Sequence, residues 1–164
     1  MAFEADGNGL NVWYGPRKVG SQIGLPGEVK NTGMVKTVVI DFTYDSLPTY
    51  SLTNAADLVI PVNSLILSAR LEVLTVFAGG TSLAVGLNRN GLVTAIDADG
   101  LITDANCGLT AIDDSVGERV IGTGALVGAV SDATYDAQVV VAATGTFTAG
   151  KARLVIEFIP KSGI

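Results

Sequence analysis

The sequence predicts an all-β domain, a jelly-roll-like β-sandwich of about eight strands carrying an extended N-terminal arm. Three observations predict it. Apolar and polar residues alternate with period two through several segments, which is the mark of half-buried strands. Turn residues punctuate those segments at short intervals, and only one short stretch accommodates a helix. The first 34 residues, in contrast, hold no period at all.

That opening stretch carries Gly7, Gly9, Gly15, Pro16, Gly20, Gly24, Pro26, Gly27 and Gly33. Breakers at this density leave room for at most a short strand around "LNVWYG". Residues 1–34 are therefore read as an extended arm, and residues 35–164 as a single sandwich domain. Trp13, the only tryptophan, stands beside Tyr14, and Arg17 and Lys18 follow. A rigid aromatic pair with adjacent cations suits a partner's pocket. The same pair equally suits a cap on one end of its own sandwich.

Strands follow in order. In "VKTVVIDFTYD", Val38, Ile40, Phe42 and Tyr44 alternate with Thr37, Val39, Asp41 and Thr43. "SLPTYSLTNAAD" reads as a loop and "LVIP" as a short strand. Residues 60–79, "IPVNSLILSARLEVLTVFAG", are long and apolar enough to raise the question of a membrane span. A span needs about 20 mostly apolar residues. Arg70 and Glu72 fall near the middle, where a charge such as Arg costs roughly 2.5–3.5 kcal/mol. Period two fits better. Leu65, Leu67, Ala69, Leu71, Val73, Thr75 and Phe77 form a core face, and Ser64, Ile66, Ser68, Arg70, Glu72, Leu74 and Val76 the other.

The turn "AGGT" is expected to lead into "SLAVGL" as a hairpin. "NRNG" is a strong turn, "LVTAI" a strand and "DADG" a further punctuation. A short helix is expected around 109–115, capped by Thr110 with Asp113 and Asp114 in its first turn. "ERVIGTGALVGAV" reads as strand with glycine-marked bends. "AQVVVAATGTF" and "KARLVIEFI" are expected to close the chain as two strands joined at "TAGK". Ala152, Leu154, Ile156 and Phe158 then face inward, and Lys151, Arg153 and Glu157 outward.

Composition narrows the function classes. Of 164 residues, 48% are apolar and only 16% charged, below the usual quarter. Such a surface favours burial against copies of itself or a partner; a well-packed sandwich rich in Val and Thr is the plainer reading. The net charge of −6 and the lack of a basic stripe argue against nucleic acid. Residues 1–36 balance at +1, with Arg17, Lys18, Lys30 and Lys36 against Glu4, Asp6 and Glu28, which leaves −7 on the remainder. An arm near neutrality lies on an acidic neighbour with little repulsion.

Histidine is absent and Cys107 is the single cysteine. Ser-His-Asp, Cys-His and histidine-ligated metal sites are thereby excluded, as is a disulfide within the chain. Cys107 reads as a small buried side chain. The start "MAFEADGNG" is unlike a secretory signal, so synthesis and folding in a cytosol are expected. Asp97, Asp99 and Asp104 in "DADGLITD" suggest a calcium loop, but glycine comes at the fourth position and Gly108 at the twelfth, against the EF-hand pattern. "GTGALVG" at 122–128 lacks the Gly-Lys-Ser/Thr ending of a phosphate loop. No catalytic residue, metal site or cofactor is assigned.

The runs "IPVNSLILSARLEVLTVFAGGTSLAVGL", "GLVTAIDADGLI" and "VVVAATGTFTAGKARLVIEFIP" resemble small virion proteins of tailed bacteriophages. These are the capsid decoration, or cement, proteins, especially of phages of marine and freshwater bacteria. The resemblance spans residues 36–160 and is one of phrase and order; the arm matches less clearly. It implies a jelly-roll-like module, assembled as a homotrimer on the capsid surface, with the major capsid protein as partner and no membrane or nucleic acid. The implied role is non-enzymatic, clamping adjacent capsid subunits against internal DNA pressure. The arm's own residues, rather than the resemblance, offer Trp13, Tyr14, Arg17 and Lys18 as partner-binding residues. A second expectation is a receptor- or glycan-binding module of a tail or fibre, read through the loops 97–108 and 131–137 with Tyr135 as a stacking ring.

Overall fold

A computed structural model of the chain describes residues 35–48 and 59–161. The arm 1–34, with Trp13, Tyr14, Arg17 and Lys18, lies outside the described residues, as does most of the predicted loop before the second strand. Eight strands are described: β1 Lys36–Thr43, β2 Val59–Ile60, β3 Leu65–Gly79, β4 Ser82–Arg89, β5 Ala95–Ile102, β6 Arg119–Ile121, β7 Ala137–Thr144 and β8 Phe147–Ile159.

They form two antiparallel four-stranded sheets, ordered β1-β8-β3-β6 and β2-β7-β4-β5. The pairs are nested: β1 with β8, β2 with β7, β3 with β6, β4 with β5. A long antiparallel ribbon wrapped so that its arms add β8 to β3 and β7 to β4 gives this order, which is a jelly roll. The predicted sandwich is borne out. The stretch 60–79 is mostly β3, hydrogen-bonded on both sides within its sheet. No helix among the described residues is long and apolar enough to cross a membrane.

The core lies between the sheets. Val38, Ile40 and Phe42 of β1 and Ala152, Leu154, Ile156 and Phe158 of β8 are buried, as their alternation predicts. They meet Leu83, Val85 and Leu87 of β4 and Val139 and Val141 of β7 in one cluster. Cys107 is buried there too, and burial pushes its thiol up to about 11.

Several expectations are corrected, each for a physical reason. On β3 the predicted core face holds from Ala69 through Val73 and at Phe77, but Ile66 is buried while Leu65 and Leu67 are exposed. The pairing slips between Ile66↔Phe158 and Ser68↔Glu157, so Leu67 is an extra residue that inverts the alternation before it. Thr75 is exposed as well, beyond a second slip in the pairing. Tyr44 is exposed because β1 stops at Thr43 and turns, with Ser46 N–H donating to Thr43 O at 3.0 Å.

β3 and β4 are not a hairpin. Gly79 and Gly80, with φ of 72° and 65°, carry the chain out of one sheet and into the other. β7 and β8 also lie in different sheets, joined through Gly145 rather than at "TAGK", which falls inside β8. "DADG" is no turn but part of β5, while Leu92, Val93 and Thr94 fall in the turn that precedes it.

The expected helix is a single 3₁₀ turn, Leu109–Ala111, following Gly108 with no side-chain cap. Thr110 lies within it, and Asp113 and Asp114 come after it. Before the turn the backbone joins the start of β4: Leu109 N–H donates to Thr81 O at 2.8 Å and Leu83 N–H to Cys107 O at 2.9 Å. After it, Ile112 O accepts from Phe77 N–H of β3 at 3.0 Å, a carbonyl that a longer helix would need for its own next turn.

The "GTGALVG" segment closes one side of the sandwich. Gly122 N–H donates to Ala69 O of β3 at 2.8 Å, whereas Gly124 and Leu126 N–H donate to Leu101 O and Gly100 O of β5 at 3.2 and 2.8 Å. A Cβ on Gly124 would stand 2.3 Å from the Gly100 carbonyl, so glycine is required where the backbones touch.

Candidate assembly surface

Among the described residues, the outward face of the β1-β8-β3-β6 sheet carries an ordered row of charge. Cross-strand register aligns Asp41, Arg153, Glu72 and Arg119 in one row, one residue from each strand. The charges alternate from the β1 edge to the β6 edge. Arg153 Nε donates to Asp41 Oδ1 at 2.7 Å and Arg153 Nη2 to Asp41 Oδ2 at 2.9 Å, a two-pronged pair. The Arg153 guanidinium holds the Asp41 carboxyl below its ordinary range and is itself held further toward its charged form. Arg119 approaches Glu72 at 3.6 Å. The neighbouring row is Val39, Val155, Arg70 and Ile121. Arg70 leans across to Glu157 at 3.5 Å, and Ser68 Oγ donates to the same carboxylate at 3.0 Å.

Exposed ion pairs contribute little to stability. Arranged charge matters more for choosing and orienting partners. The edges of this sheet also carry the most exposed large apolar side chains of its strands: Val39 is 54% exposed on β1 and Ile121 59% on β6. The sequence shows Arg70 beside Glu72 on a polar face, but nothing in it aligns Asp41 with Arg119; only register does.

The second set of sequence candidates sits elsewhere. Asp132 Oδ1 accepts from Thr134 N–H at 2.6 Å and Tyr135 N–H at 2.8 Å, and these backbone bonds lower its pKa. The Arg89 guanidinium lies over the Tyr135 ring, 4.2 Å from its centroid. One face of the proposed stacking ring is thus already occupied. Asp97 and Asp99 lie on β5, with Asp99 N–H donating to Asp97 Oδ1 at 3.4 Å, and Asp104 Oδ1 accepts from Ser82 Oγ at 2.9 Å. Among the described residues, no three His, Cys, Asp or Glu side chains gather as a metal site.

A jelly roll is an architecture shared by viral capsid and lectin domains. Among solved structures, a chain of the acidic stable capsid structure of Helicobacter pylori bacteriophage KHP30 aligns with a TM-score of 0.54 and 16% identity, over 79% of this chain and 90% of that one. A chain of the capsid of Ralstonia phage GP4 aligns with a TM-score of 0.52 and 19% identity, over 82% of this chain and 90% of that one. At these identities the likeness is one of fold. No protein-family model and no curated protein matches the chain.

Proposed function

We propose that the chain is a non-enzymatic structural protein of a phage virion. It binds the outside of the capsid as a homotrimer and stabilises the shell by bridging subunits of the major capsid protein. The observation that carries this reading is the jelly roll shared, over nine-tenths of their length, with chains from two phage capsid structures. Three features of the chain support it. The sequence contains no histidine and a single cysteine, a poor set for catalysis. Its low charge density suits a protein that buries surface against copies and partners. The arm, residues 1–34, adds Trp13 and Tyr14 as anchors, with Arg17 and Lys18 to meet acidic neighbours. A protein that binds assembled shell and not loose subunits stabilises the shell by mass action.

Removing residues 1–34 is expected to weaken binding to undecorated capsids at least about tenfold, which corresponds to losing about 1.4 kcal/mol. Co-sedimentation with purified shells measures it. Unchanged affinity would remove the arm from attachment. Binding to a glycan array with no binding to shells would move the protein to the tail or fibre.

A further inference from the structure

The edges of the charged sheet are complementary to each other, and we propose that copies of this chain join head to tail, the β1 edge of one against the β6 edge of the next. The inference deepens the self-association in the functional reading and names its interface.

The edges differ in how open they are. In the other sheet, β2 is two residues long and β5 is irregular against β4, so both edges are blunted. β1 is different: all eight residues, Lys36 to Thr43, pair with β8 without a register shift, and among the described residues no strand lies on its other side. An edge strand this long and regular is a template for another strand.

Backbone groups point the right way. Tyr44 N–H donates to Gly150 O at 3.0 Å. In the same register the hydrogen-bonded pairs of β1 fall at Val38, Ile40 and Phe42, which turns the N–H and C=O of Val39 and Asp41 to the open edge. On β6, Gly122 N–H donates to Ala69 O and Val73 N–H to Glu118 O, both at 2.8 Å. That alternation turns the N–H and C=O of Arg119 and Ile121 away from β3.

Side chains at those same positions match. Rotation about an axis along the strands keeps each row at its level and sets β6 antiparallel to the next copy's β1. Arg119 then meets the partner's Asp41, and Ile121 meets the partner's Val39. The row of alternating charge continues across the joint without two like charges meeting. A two-fold pairing of β1 with β1 gives Asp41 no cation opposite, and β6 with β6 gives Arg119 no anion. Head-to-tail contacts close into rings when the rotation allows; a trimer is the ring expected here.

Cysteine crosslinking tests the joint. Val39 and Ile121 stand on opposite edges of one sheet, about 14 Å apart at three strand spacings, too far for a disulfide within a chain. Across the joint their Cα atoms would lie about 5.5 Å apart, within disulfide range. Native Cys107 is buried and stays silent. Under mild oxidation V39C/I121C is expected to form covalent oligomers ending in a closed ring, and a mixture of V39C with I121C to form dimers. Each single variant alone is expected to remain uncrosslinked. Charge reversal in Arg119→Glu is expected to weaken self-association at least about tenfold.

Crosslinking of V39C alone or I121C alone would show two-fold pairing and overturn the proposal. So would oligomers, sized by sedimentation, in which the double variant fails to crosslink, or a protein that stays monomeric at micromolar concentration. Circular dichroism confirms that each variant is folded. Crosslinked rings that never sediment with shells would sink the capsid reading and leave the joint standing.

Discussion

Gly86→Ala is expected to be the most damaging small substitution in the domain, lowering stability by about 3 kcal/mol or more. Gly86 lies in the middle of β4, a strand buried on both faces. A Cβ built there would stand 2.2 Å from Asp97 O and 2.3 Å from the Ala98 carbonyl carbon. Both are backbone atoms, so no side chain can swing aside. Pairing shows why they come so close: Val85 faces Ile102 and Leu87 faces Asp97, leaving four β5 residues opposite Gly86 alone. A methyl group forces that bulge off β4 and draws Leu101 and Ile102, both fully buried, out of the core. Gly91→Ala is the control. Its φ of +71° is strained for alanine, but nothing lies within 4 Å, so a cost of about 1–2 kcal/mol is expected. Urea unfolding followed by circular dichroism measures both. Equal midpoints would show that the contact between Gly86 and β5 is not tight.

Phe77→Ala carries the second large effect, about 3–5 kcal/mol, from lost transfer free energy and the cavity left behind. Phe77 is 1% exposed and meets Phe147 edge-on, with ring centroids 5.5 Å apart and planes at 80°. Such a pair adds about 0.5–1.5 kcal/mol beyond burial. The site collapses poorly because its floor is backbone: Gly150, at φ +138°, would place a Cβ only 2.2 Å from the Phe77 ring. Phe77→Leu retains most of the volume and is expected to cost less than half as much. Val116→Ala, at an exposed position, is expected to stay within about 0.5 kcal/mol. A Phe77→Ala protein as stable as the parent would mean that the two sheets do not close over this ring.

Much of the fold is legible in the sequence because burial writes itself into alternation. The inward sets of β1 and β8 follow directly from period two, and the polar row of β3 shows Arg70 and Glu72 facing outward. Legibility fails where an extra residue enters silently. Leu67 looks like its neighbours, yet the slip there inverts which of Leu65 and Ile66 is buried. It fails again at glycine pairs. Gly79-Gly80 reads as a tight hairpin turn, but in this jelly roll every consecutive pair of strands except β4 and β5 changes sheets, and the same left-handed residues make that crossing.

The candidate surface is the least legible part. Asp41 and Arg153 lie 112 residues apart and meet only because the first strand pairs with the last. Alternation says that each faces outward; register, which no local pattern encodes, makes them one row with Glu72 and Arg119. The arm residues Trp13, Tyr14, Arg17 and Lys18 remain a proposal resting on composition alone.

The nested pairing of first strand with last turns a run of greasy segments into a sandwich with an ordered outer face that ends, among the described residues, at the β1 and β6 edges. In the proposed function such a body acts as a brace, held in place by its edges and its arm. The most direct measurement is an electron-microscopy map of purified particles from the genome that encodes this chain. Density for two four-stranded sheets is expected on the outer shell, clustered about three-fold positions, with β1 of each copy beside β6 of the next. Density for the chain in the tail, or a shell without it, would contradict that placement.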